Sequence, residues 1–100
     1  MSPLFDQRRR RLITRAEEIL QEINLLLAMP ESSRDEELSD NNLKVAKSHV
    51  LELRDRLQSG KLPSKPDRYA VMTRIIVDQW PLKTRLGDEI SELEATYQSL

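Results

Sequence analysis

The sequence predicts an all-α protein: an antiparallel helical bundle of three helices with coiled-coil-like packing, its last helix long and kinked or broken near Pro81. Three observations carry this expectation. Apolar residues recur at alternating steps of three and four in each apolar segment: Leu12, Ala16, Ile19, Ile23 and Leu26; Leu43, Ala46, Val50, Leu53 and Leu57; Leu86, Ile90, Leu93, Tyr97 and Leu100. That spacing lays one stripe along a helix, matched to another helix rather than to a sheet. Charged residues make up 33% of the chain and only two residues are glycine, the balance of helical bundles. Aromatics are limited to Phe5, Tyr69, Trp80 and Tyr97, so the core must come from Leu, Ile, Val and Ala. One hundred residues make one domain, 1–100.

Helix 1 is expected over about 4–29. Pro3 falls where a first helical turn accepts proline, and Ser2 is a candidate cap. Ile13, Leu20 and Leu27 add a second apolar stripe, wide enough to touch two neighbouring helices. Pro30 ends this helix, because proline breaks the hydrogen-bond ladder and keeps the preceding residue out of the helical region. Residues 30–39 read as an exposed acidic loop: Glu31, Asp35, Glu36, Glu37 and then Asp40 surround the lone cation Arg34. Helix 2 is expected over about 40–59, capped by Ser39 or Asp40 and closed by Gly60 at the position that favours a left-handed residue.

After a connection over 60–65, Ser64 and Asp67 bracket Pro66 in a capping arrangement that starts helix 3, expected over about 66–99. The apolar stripe runs through Pro81 by way of Met72, Ile75, Leu82 and Leu86, which favours one kinked helix. A full break there gives four helices instead. A continuous C-terminal helix would reach roughly 50 Å at 1.5 Å per residue, longer than its neighbours, leaving its best heptads uncovered. A homodimer is the economical way to cover them.

Charge patterning points the same way. Arg8, Arg9, Arg10, Arg11 and Arg15 open helix 1, which turns acidic at Glu17, Glu18 and Glu22. The C-terminal segment opens with Lys83 and Arg85 and turns acidic at Asp88, Glu89, Glu92 and Glu94. Both patterns oppose the helix dipole. Antiparallel pairing of the basic start of one helix with the acidic end of another relieves them. That pairing requires either a two-fold partner or a true break at Pro81.

Chemistry is sparsely encoded. No cysteine means no disulfide, thiolate or Cys-ligated zinc, which fits a cytoplasmic protein. The apolar runs are too short for a membrane span, and the start of the chain does not read as a signal peptide. His49 is the sole histidine; with Glu52 three residues on it forms at most half of a carboxylate–histidine metal site, so neither metal nor cofactor is expected. Gly60-Lys61 lacks the remainder of a phosphate loop. No catalytic residues are assigned. The expected function is a non-catalytic protein–protein interaction module, an adaptor, assembly factor or small inhibitor, docking on a larger protein through a helical face. Its partner or dimer interface is expected at Leu82, Leu86, Ile90, Leu93 and Tyr97, with Trp80 and Tyr69 as aromatic anchors. The alternative is a nucleic-acid-binding regulator that grips phosphates with Arg8, Arg9, Arg10, Arg11 and Arg15. Four consecutive arginines point to all sides of a helix, and no aromatics are interleaved for base stacking, which weighs against it.

Overall fold

A computed structural model describes residues 3–34, 36–81 and 83–100. Four α-helices follow one another: α1 (Pro3–Ala28), α2 (Asp40–Ser59), α3 (Val71–Gln79) and α4 (Arg85–Ser99). Single 3-10 turns at Glu31–Ser33 and Lys65–Asp67 sit in the first two connections. No strand occurs among the described residues.

The ends of α2 follow from local chemistry. Ser39 Oγ accepts the amide N–H of Asn42 at 3.1 Å, and Asn42 Oδ1 accepts the amide N–H of Ser39 at 3.2 Å, a reciprocal capping box. Gly60 closes the helix at φ 73°, and its N–H donates to the carbonyl of Arg56 at 3.1 Å. Only glycine enters that left-handed region without steric cost. α1 stops where Pro30 requires, and the Ser2 cap expected for it lies outside the described residues.

The third segment departs from expectation. Ser64 Oγ does donate to Asp67 Oδ2 at 2.7 Å, but this pair starts one 3-10 turn, and α3 begins only at Val71. The continuous kinked helix over 66–99 is also incorrect. Trp80, preceding proline, is extended at φ −86° and ψ 157°. Lys83 then takes a positive φ of 41°, and Thr84 starts a new helix by accepting the N–H of Gly87 on Oγ1 at 3.0 Å. The stripe that crosses Pro81 in sequence belongs to two helices folded back on each other. Their order is antiparallel: the start of α3 meets Glu94, while its end, at Ile76 and Trp80, meets Gly87. Gly87 is required there. A Cβ at that position would lie 3.2 Å from Ile76 Cγ2 and 2.6 Å from Thr84 Oγ1.

The heptad ladders become one internal core. Leu12, Ala16, Ile19, Leu20 and Ile23 of α1 meet Leu43, Ala46, Val50, Leu53 and Leu57 of α2. Leu38, from the connection between α1 and α2, and Met72, Trp80, Leu86, Ile90, Leu93, Tyr97 and Leu100 complete it. The charge pattern is satisfied inside the chain. Arg15 of α1 pairs with Glu89 of α4 at 3.2 Å, and Glu22, two turns further along α1, pairs with Arg85 at the start of α4. That order makes α1 and α4 antiparallel, the outcome that a break at Pro81 permits. The described residues extend 47 × 24 × 17 Å.

Candidate functional site

The side chains expected to form an interface have separate fates. Leu86, Ile90, Leu93 and Tyr97 are 0–2% exposed and Trp80 is 7% exposed, all within the chain's own core. The uncovered C-terminal seam expected from a long helix 3 is therefore absent, because α4 is short and packs against α1 and α3. Leu82 lies outside the described residues. Tyr69 alone of this set projects into solvent, 70% exposed.

The arginine run is likewise divided. Arg9 donates from Nη1 to the carbonyl of Leu57 at 2.6 Å, satisfying the last turn of α2. Arg15 pairs with Glu89 and Glu18. Arg10 and Arg11 are exposed, and Arg8 is half-buried. No single groove gathers the five.

Two buried charges went unmarked in the sequence. Arg34, in the acidic loop, is 8% exposed as a residue. Its guanidinium donates to the carbonyls of Leu26 (2.8 Å), Met29 (3.1 Å) and Leu38 (2.7 Å) and pairs with Asp40. It thereby ends α1, folds the loop and reaches the first turn of α2. Glu94, on α4, is 5% exposed. It accepts the N–H of Met72 at 2.9 Å, the N–H of Thr73 at 2.6 Å and the Thr73 hydroxyl at 2.7 Å. Val71–Gln79 thus receives its cap from another helix, the carboxylate meeting the positive end of the dipole.

A third cluster, on the α1–α4 flank, brings Glu22, Glu89 and Glu36 around Arg85. Glu36 Oε1 accepts the backbone N–H of Arg85 at 3.0 Å. Burial raises the pKa of Glu22 above its ordinary value, and a hydrogen bond with Glu89 and repulsion from that carboxylate raise it further; Arg85 pulls the other way. Paired carboxylates were not legible in the sequence, because the two residues are far apart along the chain.

A concavity lies among α2, α4 and the connection that leads into α3. His49, Glu52 and Arg56 of α2 form one wall, and Glu94 and Tyr97 of α4 form the floor. Asp67, Tyr69 and Val71, from the α2–α3 connection and the start of α3, close the other side. Its volume is about 280 Å³. Helical spacing explains the α2 wall: His49, Glu52 and Arg56 fall at steps of three and four along one face. Glu52 and Arg56 pair at 2.6 Å. Tyr97 is 2% exposed, and its hydroxyl is buried without a hydrogen-bond partner among the described residues. Arg68 lies over its ring, 5.7 Å from the centroid, and donates to the Tyr97 carbonyl at 3.2 Å. Among the described residues no group of three or more His, Asp or Glu is placed to hold a metal ion. No described helix is long and apolar enough to cross a membrane.

Compared with known protein families and with curated proteins, the chain matches no family model and no individual sequence.

Proposed function

We propose that this protein is a non-catalytic helical interaction module, a small cytoplasmic adaptor, assembly factor or inhibitor, that docks on a larger protein. The supporting observation is Tyr69. It stands 70% exposed at the rim of a cleft walled by α2, α4 and the connection between α2 and α3. A large aromatic side chain held beside a preformed concavity has the character of a binding anchor, since Tyr, Trp and Arg dominate interface energetics. Val71, 42% exposed, lines the same cleft and extends its apolar surface.

Affinity capture from the native host, run in parallel with the wild-type chain and Tyr69→Ala, tests this reading. A protein held by the wild type and lost by the variant, at unchanged helicity and thermal midpoint, supports it. Identical capture profiles overturn it. The homodimer is a separate form of the interaction reading, in which the partner is a second copy of the chain. The uncovered C-terminal seam that would favour it is absent, and light scattering at micromolar concentration decides it directly.

A further inference from the structure

We propose that the outer face of α1 pairs with the same face of a second copy, antiparallel and about a two-fold axis at Thr14. The proposal goes beyond the docking reading, since no residue lining the cleft at Tyr69 belongs to α1. The face lies opposite the buried stripe Leu12, Ala16, Ile19 and Ile23, about half a turn away around the helix. Its positions are exposed, and they repeat every seven residues. Leu4, Arg11, Glu18 and Leu25 run along one edge. Arg10 and Glu17 run along the other, and Gln7, Thr14 and Gln21 lie between the two. A seven-residue period is what a helix presents to another helix. The ion pairs inside the chain leave this face unmatched. Arg10, Arg11 and Glu17 form no ion pair among the described residues, and Glu18 meets only Arg15, at 3.8 Å. Leu4 and Leu25, 64% and 68% exposed, stand at the two ends of the face.

Symmetry supplies the complement. A two-fold axis perpendicular to the helix sets each edge beside the same edge of the other copy, reversed in direction. Arg11 then faces Glu18 of the second copy, and Arg10 faces its Glu17. Leu4 faces its Leu25, so the exposed apolar ends cover each other. Gln7 faces Gln21, and Thr14 faces itself. Each contact away from the axis occurs twice. The Thr14 hydroxyl already donates to the Arg10 carbonyl at 3.2 Å, so burial at the axis leaves no donor unmet. The pattern also rejects the alternatives. A parallel pairing sets Arg10 and Arg11 beside their own copies. An antiparallel pairing shifted by one heptad sets Glu18 against Glu18 in one direction and Arg11 against Arg11 in the other. Exposed ion pairs are individually weak and screened by salt, so half-dissociation is expected at about 1–100 µM, rising with ionic strength.

The test is sedimentation equilibrium of the full chain from about 1 µM to 1 mM at low salt. A monomer–dimer equilibrium is expected, weakened about tenfold when salt is raised from about 20 to 500 mM. Two double variants, Arg10→Glu with Arg11→Glu and Glu17→Arg with Glu18→Arg, should each stay monomeric at unchanged helicity, because like charges then meet along both edges. Mixed, they should form a heterodimer, since the four charged positions are all acids in one variant and all bases in the other. Thr14→Cys, in a chain with no other cysteine, should cross-link to its own copy on mild oxidation. Gln7→Cys should not, because the two copies of that position lie about 20 Å apart along the paired helices. A wild-type chain that stays monomeric up to about 1 mM overturns the inference. So do double variants that dimerise as tightly as the wild type, or folded double variants that do not combine when mixed. Tyr69→Ala should leave the association unchanged, so failure of the dimer and failure of the docking reading are seen separately.

Discussion

Arg34 shows how one residue can decide a loop. Five acids lie near it in sequence, and its fork ties three carbonyls and Asp40 together. Arg34→Ala should destabilise the chain by about 3–5 kcal/mol, because it leaves buried acceptors without a donor. Arg34→Lys should recover little, since one ammonium cannot span those directions. Urea denaturation followed by circular dichroism measures both. A loss under about 1 kcal/mol for Arg34→Ala would contradict this account. Glu22 offers a second prediction. Its pKa is raised in the folded chain, so the fold binds more protons than the unfolded chain above the ordinary carboxylate range. The stabilisation is complete below the ordinary value of 4.5 and is lost as pH rises through the folded value. Glu22→Gln should flatten the decline that sets in as pH rises above the ordinary value of 4.5, read as thermal midpoint against pH. A decline as steep as that of the wild type would assign it to another group. Arg34 is not marked in the sequence, because loop charges usually face solvent; Glu22 is marked only as part of the acidic end of helix 1, and its meeting with Glu89 is not, because the two carboxylates come from different helices.

At the scale of elements, α3 and α4 carry the lesson. An N-terminal cap at Ser39 or Asp40, the glycine stop at Gly60 and the end of α1 before Pro30 were all legible, because each is a local contest among residues close in sequence; the structure selects Ser39 and adds its reciprocal bond with Asn42. The sequence misleads at Pro81 because apolar period is blind to direction. A helix that continues and a helix that reverses can keep the same stripe. The deciding signals were Thr84 as a cap and Gly87 as a point of contact, both present in the sequence but meaningful only together. Gly87→Ala should cost about 1–3 kcal/mol by pressing on Ile76 and displacing the Thr84 hydroxyl. Thr84→Ala should cost about 1 kcal/mol through loss of the cap. The two losses should be less than additive, since both act on one hydrogen bond; full additivity in a double-mutant cycle would show that they act separately.

Across the whole molecule, the heptads describe an interior and not a seam. Leu93 illustrates the difference. On a dimer face, Leu93→Glu would separate a pair of folded copies; at 2% exposure inside the chain it should unfold the protein itself. Far-UV circular dichroism at 25 °C should show loss of cooperative melting, whereas retained helicity with a change only in mass would restore the seam. The candidate site was half legible for the same reason. Tyr69 and Tyr97 both stand out as aromatics, but pattern alone could not assign one to the rim and the other to the floor. Glu94, which caps α3 across the fold, left no trace in its own neighbourhood of the sequence.

Trp80 packs where α3 turns back onto α4, and it is the chain's sole tryptophan. Its indole is shielded from water, with Nε1 unpartnered among the described residues. Nature has thus placed a fluorescent lamp at one joint of the protein. Its colour reports the opening of the C-terminal hairpin, while ellipticity sums every helix. Superimposable melts by the two signals would mean that the hairpin and the α1–α2 pair come apart together. A red shift at lower temperature would mean that the C-terminal half lets go first.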